Sequence, residues 1–179
     1  MQSNIIEGSD RTNDGLWRWT VVLIDNNLFI NGYIGTGCCN DIVVVLAEKT
    51  FDKLIINIKS PGGFIDEVMG IIFFLHQLKA MERIGTIETI AGGECCSSAM
   101  FLWLYGNTIG CMEYCTFMMH NPTCRHPEKS CKHKEVNELF LLSHLKIEGD
   151  VLRQLMDEQK MLTENDMKQF IPHLQILNL

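Results

Sequence analysis

Positive charge is scarce in this sequence: Lys and Arg together number 15 against 22 acidic residues, for a formal net charge of −7 and a pI near 5.3. That balance excludes the clustered basic surface by which proteins hold nucleic acid or anionic membranes, and it directs attention to protein or peptide partners. No apolar run has membrane-spanning length, because the longest, 68–75, is bounded by Asp66, Glu67, His76 and Lys79. The first 19 residues have neither a basic stretch nor an apolar one, so no secretory signal is visible and a reducing compartment, cytoplasm or organelle interior, is expected. There is no internal repeat of solenoid type. Nor is there a Gly-x-x-x-x-Gly-Lys phosphate loop, which excludes that route to nucleotide hydrolysis within the chain.

What is present suits one compact domain. The 179 residues are 46% hydrophobic, enough for a substantial core. The eight cysteines, at 38, 39, 95, 96, 111, 115, 124 and 131, include two adjacent pairs. Neighbouring cysteines rarely bridge, so most read as free thiols packed as small hydrophobes.

Residues 1–15 are polar and read as a flexible N-terminal arm, with a single domain over 16–179. Two β-rich runs, 17–24 and 28–34, flank the turn-forming Asp25-Asn26-Asn27. A helix is expected over 39–48, with Asn40 or Asp41 in its first turn. The run 54–58 reads as a buried strand that Ser60-Pro61-Gly62-Gly63 ends before an apolar helix over 65–81. The pattern then repeats: a strand over 86–90, a turn at Gly92-Gly93-Glu94 and a short helix over 96–105. A strand over 116–119, a polar loop over 121–130 and one long amphipathic helix over 132–156 follow. The pair Thr163 and Asp166 has capping-box spacing for a short helix to 170, with a closing strand over 174–177. Strands alternating with helices make this an α/β domain.

Three segments could carry chemistry. In Gly93-Glu94-Cys95-Cys96-Ser97-Ser98 a serine sits between a strand and a helix, where a nucleophile finds free N–H groups and positive potential nearby; the same position is also that of an ordinary N-cap. In Ser60-Pro61-Gly62-Gly63 two glycines let the backbone approach a ligand, or simply make a tight turn. His120 ends the apolar Phe117-Met118-Met119 and precedes Asn121-Pro122, as a base or as a structural histidine.

In this order and approximate spacing the three segments resemble the proteolytic subunit family of the Clp proteases. Ser60-Pro61-Gly62-Gly63 is similar to that family's oxyanion turn, Gly93–Ser97 to its Gly-x-Ala-x-Ser nucleophile segment, and Met118-Met119-His120-Asn121-Pro122 to its Met-Ile-His-Gln-Pro. The likeness is good over roughly 28–123 and poor elsewhere. It implies a crotonase-like spiral of β-β-α units with a helical handle, and a serine endopeptidase without a cofactor. Ser97 would be the nucleophile and His120 its general base, and the N–H groups of Gly63 and Ser98 would form the oxyanion hole. Since Ser98 would contribute its main-chain N–H, its side-chain identity is expected to matter little, and although Ser98 is a rival nucleophile the count from Gly93 favours Ser97. The resemblance further implies heptameric rings stacked in pairs, and an unfolding ATPase of the AAA+ class that delivers protein substrates.

The chain departs from the family where the triad's Asp is expected. Aligned through Met161-Leu162-Thr163, that position is Gln159, with Asp157 or Glu158 as substitutes after a shift in register. A Gln can hold an imidazole by a hydrogen bond but brings no negative charge. The interval from His120 to Gln159 is also shorter than the family's, which implies a shortened or rearranged handle, and the tail after Phe170 lacks its Tyr-Gly turn. A catalytically weak or inactive ring subunit, serving assembly or docking, is therefore the rival expectation. An acyl-CoA enzyme of the same superfamily would need a catalytic carboxylate and a basic phosphate pocket, and neither is apparent. Finally, Cys124, His126, Cys131 and His133 repeat a Cys-x-His unit that could wrap zinc, although zinc modules usually separate their ligand pairs further; free thiols or a Cys124–Cys131 disulfide are the alternatives.

Overall fold

A computed structural model of the chain describes residues 4–12, 15–122 and 127–178. Nine strands and six helices alternate in it: β1 (Asn4–Thr12), β2 (Gly15–Ile24), β3 (Asn27–Gly32), α1 (Cys38–Leu46), β4 (Phe51–Ser60), α2 (Ile65–Ala80), β5 (Ile84–Cys96), α3 (Ala99–Leu104), β6 (Thr108–Met112), β7 (Thr116–Met118), α4 (Pro127–His144), α5 (Gly149–Glu158), β8 (Met161–Thr163), α6 (Glu164–Phe170) and β9 (Gln175–Leu177). The main sheet runs β1-β2-β3-β4-β5-β6-β9, with β7 paired to β5 and β8 to β7. From β3 to β9 its neighbours are parallel, as crossover helices require, so the α/β expectation holds.

Alternation sets the buried faces. Leu54, Ile56 and Ile58 of β4 turn inward at every second position, as do Val21 and Leu23 of β2 and Leu28 and Ile30 of β3. Helix α3 is buried along its whole length, from Ala99 to Leu104, because it lies against β4 and β5 on one side and α2 and α4 on another. Trp103 near its end is fully buried, and its indole N–H donates to the Gly110 carbonyl at 2.8 Å.

Three expectations are corrected. Residues 4–12, placed in a polar arm, form β1, whose nine residues pair antiparallel with β2; ladder hydrogen bonds to an apolar neighbour make a strand from a segment whose own composition is polar. At 92–94 there is no turn: β5 continues to Cys96 through a bulge at Gly92-Gly93, where β4 advances from Ile58 to Ser60 while β5 advances from Ala91 to Cys95. The helix expected over 132–156 is two helices. The chain leaves α4 after His144, and the Lys146 N–H donates to the Phe170 carbonyl at 2.8 Å; the break lets Leu145 and the Leu152, Leu155 and Met156 face of α5 all reach the core. Helix α1 starts from Gly37 in the left-handed region at φ 100° and has Asp41 in its first turn as expected, where the carboxylate accepts from the Trp19 indole N–H at 2.7 Å. The Thr163–Asp166 capping box is present as expected.

Cysteines 38, 39, 95, 96, 111 and 115 are free, and all but Cys39 are buried. Burial pushes the Cys38 and Cys111 thiols up to about 12 and Cys96 to about 11, and takes Cys95 well above the ordinary range. Since the thiolate is the reactive form, these groups are inert in the folded protein. Treatment of native protein with iodoacetamide at pH 8, followed by peptide mapping, will leave Cys38, Cys95, Cys96 and Cys111 unmodified, whereas the same treatment in guanidinium will modify all four. Equal modification in both conditions would contradict the packing described.

Candidate active site

Ser97 and His120 are brought together by strand pairing. The second half of β5 runs parallel to β7, with Cys95 opposite Phe117 and Cys96 opposite Met118. Both chains then leave the sheet at the same end, and the Ser97 N–H donates to the Met118 carbonyl at 2.7 Å, adding one more rung. Ser97 turns into the left-handed region at φ 54°, a conformation that costs a non-glycine residue roughly 1–2 kcal/mol. Its carbonyl accepts from the Met100 N–H at 3.1 Å at the start of α3, so the strain is held between β7 and α3. The sharp turn directs its hydroxyl to the imidazole, with Ser97 Oγ 2.6 Å from His120 Nε2.

The other ring nitrogen fixes the proton's place. His120 Nδ1 lies 2.7 Å from the main-chain oxygen of Asn121. A carbonyl can only accept, so Nδ1 carries the hydrogen and Nε2 of the neutral ring is bare. Nε2 therefore accepts from the Ser97 hydroxyl, which is the arrangement a general base needs. The bond that fixes this tautomer is made to a main-chain oxygen, so the motif's residue types gave no signal of it.

None of the three positions expected to supply the acid reaches the ring. Gln159 is exposed and closes α5 in the left-handed region at φ 49°. Glu158 accepts from the Gln154 amide at 2.8 Å on the surface. Asp157 accepts from the Asn121 side-chain amide at 2.5 Å and lies 3.8 Å from Lys134 Nζ, one residue removed from the imidazole.

The Ser60–Gly63 turn packs on the far side of Ser97. The Ser60 side chain is fully buried, and its hydroxyl accepts from the Gly62 N–H at 3.0 Å, which folds the turn on itself. Gly62 has φ 100°, and a Cβ there would stand 2.6 Å from Ser97 Cβ and 2.7 Å from the Cys96 carbonyl oxygen, so only glycine permits this approach. The Gly62 carbonyl accepts from Ile34 N–H and the Phe64 N–H donates to the Ile34 carbonyl, each at 2.9 Å, leaving the N–H of Gly63 out of the bridge between them. Among the turn and loop hydrogen bonds of the described residues, neither the Gly63 nor the Ser98 N–H is a donor. The Ser98 side chain has a part after all: it is buried, and its hydroxyl donates to the Gly63 carbonyl at 3.1 Å, fastening the two turns together.

Of the Cys-x-His repeat, Cys124 and His126 lie outside the described residues, and the side chains of Cys131 and His133 on α4 are likewise outside what is described. Among the described residues no group of His, Cys, Asp and Glu could hold a metal ion, and no helix is long and apolar enough to cross a membrane.

No curated protein matches the chain in sequence comparison. The family model for Clp protease matches residues 12–170, a span that takes in the glycine turn, Ser97, His120 and the segment up to α6. With that match over most of its length, the chain belongs to the Clp protease family.

Proposed function

We propose that this chain is a serine endopeptidase subunit of a Clp-type compartmentalised protease, with Ser97 as nucleophile and His120 as general base. The observation that carries the reading is the 2.6 Å hydrogen bond from Ser97 Oγ to a ring nitrogen whose partner nitrogen is already committed to donating. In the reaction His120 takes the hydroxyl proton as Oγ attacks the peptide carbonyl, then gives it to the departing amine; water repeats the sequence on the acyl-enzyme. The N–H groups of Gly63 and Ser98 would receive the oxyanion, each worth about 3 kcal/mol by analogy with other hydrolases. Membership of the family implies ring assembly and partnership with Clp ATPases in general. For this chain the finer form is a homo-oligomer of paired heptameric rings, in the cytoplasm or an organelle interior, cutting proteins that an AAA+ ATPase unfolds.

The third position limits the rate. In a Ser-His-Asp enzyme, replacing the Asp by Asn costs on the order of 10⁴, largely because the histidine takes the wrong tautomer. Here the Asn121 carbonyl supports the correct tautomer, so that part of the loss is avoided. What is missing is a full negative charge on the developing imidazolium. The absence of a carboxylate at Nδ1 is also what favours the second reading, a ring subunit with weak or no turnover.

Labelling with a serine-reactive fluorophosphonate and mapping of the adduct separates the two. The peptidase reading expects an adduct on Ser97 of the assembled protein that Ser97→Ala abolishes while assembly persists; absence of any adduct from folded, assembled protein favours the second reading. Gly62→Ala is expected to abolish the adduct as well and, through its clash with Ser97 and its positive φ, to destabilise the fold by roughly 1–3 kcal/mol in urea unfolding. An alanine variant that labels like wild type would remove the glycine turn from the site.

A further inference from the structure

Asn121 contributes two groups in two directions. Its carbonyl accepts from His120 Nδ1 at 2.7 Å, and its side-chain amide donates to Asp157 on α5 at 2.5 Å. A carboxylate only accepts, so the amide must present its NH₂ to Asp157. The consequence is that Asn121 Oδ1 is buried with no hydrogen-bond partner among the described residues. Leaving a buried amide oxygen unpaired is unfavourable, so this orientation needs a compensating bond. The charge-assisted bond to Asp157 is what holds the side chain in this orientation. Asp157, an exposed residue of α5, also lies 3.8 Å from Lys134 of α4. Pro122 follows Asn121 and restricts its backbone to extended conformations, so the direction of the carbonyl and the position of the side chain change together.

We propose that Asp157 is a positioning residue for His120, acting through the Asn121 side chain to keep the Asn121 carbonyl on Nδ1. This rests on the peptidase reading and deepens it: the acid of the triad, missing from Gln159, is replaced by a main-chain carbonyl that a carboxylate one residue further out holds in place. Asp157 forms no hydrogen bond or ion pair with the imidazole itself. Its contribution is orientation, so an acceptor without charge at position 157 suffices, and a side chain with no acceptor does not.

The test compares Asp157→Ala, Asp157→Asn, Asn121→Ala and the Asn121→Ala/Asp157→Ala double variant in the assembled protein. Hydrolysis of a short fluorogenic peptide gives kcat and KM. Asp157→Ala is expected to lower kcat about tenfold, the scale of one charge-assisted hydrogen bond, with KM within about twofold of wild type. Asp157→Asn should recover most of that loss, and the double variant should be no worse than the worse single, as two residues acting through one link require. Imidazole nitrogen spectra provide a readout independent of turnover: wild type holds the Nδ1–H tautomer of His120, and Asp157→Ala converts it to a mixture. Unchanged kcat and tautomer in Asp157→Ala would overturn the proposal while leaving fluorophosphonate labelling of Ser97 intact. If wild type neither labels nor cleaves, the peptidase reading fails, and the tautomer decides the positioning role alone: loss in Asp157→Ala upholds it and no change overturns it.

Discussion

Parallel pairing between the second half of β5 and β7 sets the distance between Ser97 and His120, because Cys96 and Met118 are register partners and both side chains follow at the same end of the ladder. That pairing depends on the bulge at Gly92-Gly93. Up to Ala91, β5 pairs with β6; beyond the bulge it pairs with β7, so one 13-residue strand serves two neighbours in succession. Bulges re-aim a strand by adding residues on one side of a ladder. Here the re-aiming brings the end of β5 beside the strand that precedes His120. Without it the two side chains would leave the sheet at different places.

Around that pair the backbone is drawn closer than side chains would permit. Gly62 leaves no room for a Cβ beside Ser97, Gly63 lies against Ile34, and the hydroxyls of Ser60 and Ser98 brace the turn. Such bracing resists the tendency of Ser97 to leave its left-handed conformation. The two serines contribute through hydrogen bonds to main-chain groups, N–H of Gly62 and C=O of Gly63, so their work is local and geometric. Strain of this kind persists only where surrounding contacts over-determine it.

Polar support for His120 comes from a different part of the chain than an alignment through Met161 suggests. Gln159 terminates α5 facing solvent, whereas Asp157, two residues earlier, faces the loop after β7. The difference follows from the left-handed turn at Gln159, which takes that residue out of the helical path that Asp157 still follows. Because α4 and α5 are separate helices, the orientation of α5 is set by its apolar face, Leu152, Leu155 and Met156, and this decides which of the acidic residues near its end can approach Asn121.

The sequence by itself determined most of the elements that rely on local patterns. The apolar helix after Gly63 begins where expected and ends one residue before the expected 81, the hairpin around Asp25-Asn26 forms, and the Thr163–Asp166 box caps α6, since periodicity, turn chemistry and capping act within a few residues. The motifs around Gly63, Ser97 and His120 were likewise legible, because they consist of unusual residues in a fixed order. Tertiary structure alone decided the rest. β1 exists because β2 offers a ladder, and α4 and α5 are separate because Lys146 finds the Phe170 carbonyl. Hydrogen bonds between main-chain groups distant in sequence leave no mark on residue identity, and that is why they could be seen only once the chain was folded.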